Sequence, residues 1–124
     1  MNDLYPLLET VKKLKGRGLK VVVLGPIIEY SQSLPRILAQ QNAKEKLLNT
    51  RNYNEIAKVD SKFSSTLESE NIVYYSVLQA MCSNERNCLT LQSGMPIQFD
   101  YGHLTSEGAK LVLTTTELFQ SIRP

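Results

Sequence analysis

Two short runs rich in β-branched and aromatic residues, Leu19 to Gly25 and Ile72 to Val77, most constrain what this chain can fold into. The first is short and nearly continuous in apolar character, which reads as a strand buried on both faces, the pattern of a central parallel sheet. Ahead of it, residues 3 to 16 place Leu4, Leu7, Leu8, Val11 and Leu14 at helical spacing with Lys12, Lys13 and Lys15 between them, and Gly16 and Gly18 close the pattern. Helix, glycine turn and buried strand make half of a βαβ unit. The lysines sit in the last turn, where they complement the helix dipole, so the charge run needs no ligand to explain it.

Between the two runs the periodicity is helical. A helix is expected from near Pro35 toward Leu47 and Leu48 with an interruption at Asn42, then a break around 49–52. A second helix is expected over 53–70, with Tyr53, Ile56, Val59, Phe63 and Leu67 as its core stripe. After the second run, a short helical turn from Val77 to Met81 leads to a cysteine loop. Leu89 to Phe99 then alternates about Ser93-Gly94 as a small β-hairpin whose second arm delivers Asp100. Thr105 suits the N-cap of a helix from Ser106 to about Ser121, with Glu107 in its first turn and Ala109, Leu111, Val112, Leu113, Leu118 and Phe119 available for packing. The expected fold class is therefore α/β: one domain, with a short parallel sheet, flanking helices and a small β-hairpin.

Composition narrows the function. Fourteen Lys and Arg against twelve Asp and Glu leave a formal charge of +2, too small and dispersed for a nucleic-acid footprint. The longest apolar run, broken by Lys20, Gly25 and Pro26, falls far short of the ~20 residues of a membrane span. The segment Met1 to Pro6 lacks a basic region followed by an apolar stretch, so any export signal is expected outside this chain. Cys82 and Cys88 flank polar, turn-prone residues. A disulfide is favoured, with two free thiols or a metal site as alternatives that spacing alone does not settle.

The chemistry-bearing feature is Asp100 with His103, the one histidine of the chain, set between a strand and a capped helix. In acyl transfer a base must take a proton from a nucleophile while a carboxylate holds its other ring nitrogen. By itself D-x-x-H is a weak signal, since many such pairs are turn or cap contacts. A metal site from Asp100, His103 and Glu107 is a remote alternative, because such residues this close usually serve a helix start, and no cofactor is expected. Glu29, Tyr30, Ser31 and Ser33 follow the first strand, where α/β proteins place their sites, and are candidate site-wall residues; a solvated loop is the simpler reading of each.

The stretch Phe99-Asp100-Tyr101-Gly102-His103-Leu104-Thr105-Ser106-Glu107-Gly108-Ala109 resembles the last block of the SGNH/GDSL hydrolase family, D-x-x-H-L-S/T with a following Gly-Ala. Together with Val21-Val22-Val23-Leu24-Gly25-Pro26-Ile27-Ile28-Glu29-Tyr30 and the cysteine pair, it looks like the SGNH domain fused to the membrane-bound acyltransferase-3 family. That resemblance implies a partial SGNH, flavodoxin-like three-layer fold. It implies O-acyltransferase or esterase chemistry on cell-envelope glycans and a periplasmic or extracytoplasmic place. His103 would be the base and Asp100 its orienting carboxylate, Gly108 would allow close backbone approach, and the cysteines would form an extracytoplasmic disulfide. The family's Gly-Asp-Ser nucleophile and its Gly and Asn oxyanion blocks have no match here: Ser31, Ser33, Ser64, Ser65, Ser76 and Ser93 all lack that context. The chain is therefore expected to be a C-terminal portion of such a domain, inactive alone, tied to a membrane only through a missing N-terminal region. It is expected to form a homo-oligomer that hides an exposed sheet edge. The alternative is a non-catalytic α/β interaction or binding module in which Asp100 and His103 are structural.

Overall fold

Val22–Leu24 (β1) and Val73–Tyr75 (β2) pair in parallel, with Val22 opposite Val73, Val23 opposite Tyr74 and Leu24 opposite Tyr75. In the computed structural model, which describes residues 4–115, this pair is the short parallel sheet that the two β-branched runs call for. Both strands are shorter than their apolar runs. Nor is the sheet buried on both faces. Side chains alternate across a strand, so Val23 and Tyr74 share one face and Val22, Leu24, Val73 and Tyr75 the other. Val23 and Tyr74 pack with Val11, Leu67, Ile72 and Phe63 beneath two helices, Tyr5–Gly16 (α1) and Tyr53–Ser69 (α4). On the opposite face Leu24 is 40% and Val73 47% exposed. The expectation of two-sided burial is corrected accordingly: β-branched content reports strand preference, whereas burial depends on which layers arrive from elsewhere in the chain.

The crossover between the strands is helical, as expected. Leu34–Leu38 (α2) and Ala43–Thr50 (α3) are separated where Asn42 adopts φ 60, a left-handed conformation that asparagine tolerates better than most residues. Only Arg51 and Asn52 stand between α3 and α4, so the expected break is narrower than anticipated. α4 carries its apolar stripe as read, with Leu67 fully buried. It also buries a carboxylate that the stripe did not indicate. Asp60 accepts from the Tyr74 hydroxyl at 2.6 Å and from Ser76 Oγ at 2.7 Å. Ser76 Oγ in turn caps Val77–Met81 (α5) by accepting from the Gln79 amide. Burial, reinforced by the Asp60 carboxylate, pushes the Tyr74 phenol up, so the hydroxyl remains a donor and the buried charge stays partnered.

After α5, Cys82–Asn84 (β3) and Asn87–Cys88 (β4) form a hairpin closed by a disulfide between Cys82 and Cys88, with Cα atoms 4.0 Å apart. Leu91–Gln92 (β5) and Met95–Pro96 (β6) form a second hairpin, shorter than its alternating pattern suggested. Ser93 and Gly94 both take positive φ at its tip, which a tight two-residue hairpin turn requires. Ser106–Thr115 (α6) begins where expected: Thr105 Oγ1 accepts from the Gly108 amide at 3.1 Å and donates to the Pro96 carbonyl at 2.7 Å. Leu118 and Phe119, expected to pack from this helix, lie outside the described residues.

A larger core of Ile28, Tyr30, Leu34, Ile37, Leu47, Val77, Leu78, Met81, Cys82, Ile97 and Val112 joins α2, α3, α5 and α6 to the segment that carries Asp100. Gly108 is what lets α6 sit there, because a Cβ at this position would be driven into the backbone carbonyl of Ile97. Alanine is worth about 1 kcal/mol over glycine in a helix interior. A backbone carbonyl cannot move aside as a flexible side chain can, so overpacking prevails. Gly108→Ala is expected to destabilise the fold by a net ~1–3 kcal/mol and to lower the thermal midpoint, read by circular dichroism.

Candidate functional site

The segment from Ile97 to Thr105 folds back on itself. Gln98 bridges to Leu104 in antiparallel fashion, the Phe99 amide donates to the His103 carbonyl at 3.0 Å, and the Thr105 amide donates to the Ile97 carbonyl at 2.9 Å. Aspartate readily bonds backbone amides two and three residues onward, and Asp100 does so here. Its Oδ1 accepts from the Gly102 amide at 2.9 Å and from the His103 amide at 2.7 Å. That leaves Oδ2 for the imidazole, whose Nδ1 lies 2.7 Å away.

The consequence is a defined tautomer. A carboxylate at Nδ1 holds the proton there, which leaves the lone pair on Nε2. The His103 side chain is 62% exposed, so the imidazole is presented to solvent. The Gly102 amide is the largest influence holding the Asp100 carboxyl below the usual carboxylate range. The imidazole and amide of His103 add to it, while partial desolvation works the other way.

Two further segments fix this loop. The Leu34 amide, at the start of α2, donates to the Asp100 carbonyl at 3.1 Å, and the Tyr30 amide donates to the Tyr101 carbonyl at 3.0 Å. Fully buried Gln98 donates from Nε2 to the Ile28 carbonyl at 2.9 Å. The chain leaving the carboxyl end of β1 is thereby zipped to the loop bearing Asp100 and His103. Ligand sites in open α/β sheets gather at these strand ends.

The loop residues singled out in the sequence fall into different environments. Glu29 lies against Gly102, where a Cβ would come within 3.3 Å of its Cγ. Asn52 holds Glu29 in place: its Oδ1 accepts from the Glu29 amide at 3.0 Å, and its Nδ2 donates to Glu29 Oε2 at 3.4 Å. Tyr30 is buried, with the Arg51 guanidinium 5.8 Å from its ring centroid, so it serves as core rather than site wall. Ser31 opens onto a separate cleft of about 420 Å³, whose lining includes Thr50, Arg51, Asn52 and Glu85 but neither Asp100 nor His103. Ser33 precedes α2 as its N-cap residue. Of the other serines, Ser64 donates to Glu68, Ser65 to the Lys62 carbonyl and Ser76 to Asp60, and Ser93 occupies a hairpin turn.

The sequence did not point to Gln98, Asn52 or the two aromatic rings beside the imidazole. Phe99 lies nearly parallel to His103, with centroids 5.9 Å apart and planes at 21°, and Tyr101 meets it edge-on at 5.8 Å. Alternation of Phe99 and Tyr101 about Asp100 was a usable signal for the rings. The partners of Gln98 and Asn52 lie too far along the chain for any local pattern to reveal them.

A family model described as the SGNH domain fused to AT3 domains matches residues 2–115. Among solved structures, the chain is similar to the periplasmic domain of a lipopolysaccharide acetyltransferase from Salmonella ser. Paratyphi A. The two are 28% identical with a TM-score of 0.73 over 94% of this chain and 48% of that one. The chain thus spans about half the length of that neighbour. No curated protein sequence matches it. Among the described residues, no helix is long and apolar enough to cross a membrane.

Because the Asp100 carboxyl is depressed in the fold, its grip on the loop is complete above the ordinary ~3.9 of aspartate and is lost as pH falls through the lower folded value. In an acid titration followed by NMR, the Gly102 and His103 amide resonances are expected to stay put through the ordinary aspartate range and to move only below it. Movement centred on the ordinary value would show that the carboxylate does not hold the two amides.

Proposed function

The chain belongs to the family of SGNH domains fused to AT3 domains, and we propose that it carries the base half of an O-acyltransferase or esterase site acting on cell-envelope glycans. The observation that carries this reading is the Asp100 Oδ2 to His103 Nδ1 contact of 2.7 Å beside an exposed imidazole. In this reading Nε2 of His103 takes the proton of an attacking hydroxyl and returns it to the leaving group. Asp100 holds the ring and stabilises the imidazolium formed on the way. The domain stands outside the inner membrane, a place that the periplasmic location of its structural neighbour and the Cys82–Cys88 disulfide both favour.

The nucleophile, in this proposal, belongs to residues outside this chain, so that residues 1–124 form the C-terminal part of an SGNH-type domain. Two facts support it: the sequence contains no Gly-Asp-Ser, and the chain covers 48% of the acetyltransferase structure. Isolated, it is inactive and hides the open face bearing Leu24 and Val73 by associating with itself.

One observation favours a second reading. Asp100 spends Oδ1 on the amides of Gly102 and His103, as a purely structural turn would. Changing Asp100 to Asn separates the two. Asparagine can still accept the amides, but its NH₂ now donates to Nδ1, which moves the ring proton to Nε2 and removes the basic lone pair. Long-range ¹H–¹⁵N spectra should show Nδ1–H in the wild type and Nε2–H in Asp100→Asn. In a protein that also contains the nucleophile, acetyl transfer should fall by about 10⁴-fold in this variant. An unchanged transfer rate would leave the dyad structural.

The isolated chain should hydrolyse an activated acetyl ester no faster than its His103→Ala variant; a clear excess would place the nucleophile within residues 1–124. In sedimentation velocity the wild-type chain should self-associate and Val73→Lys should shift it toward monomer. A wild-type monomer at high concentration would remove the need for a covered face.

A further inference from the structure

We propose that Phe99 and Tyr101 form a stacking platform for an uncharged pyranose ring beside His103, an inference that rests on the acyl-transfer reading above. The two rings flank the imidazole from either side of Asp100 in one turn and are 60% and 48% exposed. They are held by backbone rather than by packing: the Phe99 amide is bonded to His103 and the Tyr101 carbonyl to the Tyr30 amide. A rigid turn thus presents apolar surface to solvent next to a basic nitrogen.

What such a surface accepts follows from the proton that the base must handle. If Nε2 exchanges a proton with a hydroxyl, the molecule carrying that hydroxyl must lie within hydrogen-bond reach of the imidazole, against whatever adjoins it. A pyranose suits this place, having an apolar C–H face and a rim of hydroxyls. The face can lie on an aromatic ring while the rim reaches polar groups. Glu29, pinned by Asn52 against Gly102, supplies such a group at the same loop. The charged side chains fixed against this turn, Asp100 and Glu29, are carboxylates. They repel an acidic or phosphorylated sugar and favour a neutral one.

The test is an NMR titration of the full chain with methyl α-glucopyranoside, methyl α-galactopyranoside and methyl α-mannopyranoside, with methyl glucuronide as the anionic counterpart. At least one neutral glycoside should show upfield ring-current shifts of its C–H protons and saturation transfer from the aromatic resonances. Both should be lost in Phe99→Ala and Tyr101→Ala and retained in Phe99→Tyr and Tyr101→Phe. The rings are exposed, so these substitutions should leave the circular dichroism spectrum unchanged.

The platform is overturned by absence of response to all three neutral glycosides, by a response that survives both alanine variants, or by tighter binding of the glucuronide. It is equally overturned if the aromatic resonances move with protein concentration and not with sugar, which would assign the rings to a contact between copies. The imidazole tautomer separates the failures. No sugar response with Nδ1–H intact defeats the platform alone, whereas Nε2–H in the wild type defeats the base reading itself.

Discussion

The Asp100 carboxylate is the interaction on which the site depends. One oxygen gathers the amides of Gly102 and His103 and the other meets Nδ1 of the imidazole. The same group therefore shapes the turn and sets the tautomer of the ring that the turn carries. An exposed histidine without such an anchor would sample several rotamers and both tautomers. Preorganisation by a short, acceptor-rich residue matters most where solvent competes for every hydrogen bond.

Around that anchor the molecule is built in two unequal bodies of packing. The smaller joins α1 and α4 to one face of the parallel pair, and the larger joins the remaining helices to the segment bearing the dyad. The Asp60–Tyr74–Ser76 network lies between them, linking α4 to the end of β2 and the start of α5. Gly25 fits at this junction because its missing side chain leaves room for the Tyr74 hydroxyl and the Asp60 carboxylate. What is unusual for a parallel sheet is the open face beyond β1 and β2, since such sheets are ordinarily covered on both sides.

Features with a local cause were legible in the sequence. The stripe Tyr53, Ile56, Val59, Phe63, Leu67 anticipates α4 almost to its ends, Asn42 marks the interruption before α3, and Thr105 caps α6. The helical turn from Val77 to Met81 and the hairpin tip at Ser93-Gly94 also appear where propensity and turn chemistry place them. The errors are of another kind. Strand ends were overdrawn, because a strand lasts only as long as its partner in the sheet, and that partner is some fifty residues away. The burial of Asp60 is invisible in the 53–70 periodicity, since nothing in α4 itself announces the two hydroxyls that offset its burial cost.

For the candidate site the division is similar. Sequence alone determined that Asp100 and His103 share one tight turn before a helix, because three-residue spacing and an N-cap threonine are local constraints. It also sufficed to suggest the family, since the motif is contiguous. Only the tertiary structure decided that this turn is stitched to the loop after β1 through Gln98, Tyr30 and Leu34, and that Glu29 rests on Gly102. It likewise decided that Ser31 faces another cleft and that one sheet face stays open. Those outcomes depend on which distant segments pack together, and that choice is made by the summed burial and hydrogen bonding of the whole chain, which no short window of residues contains.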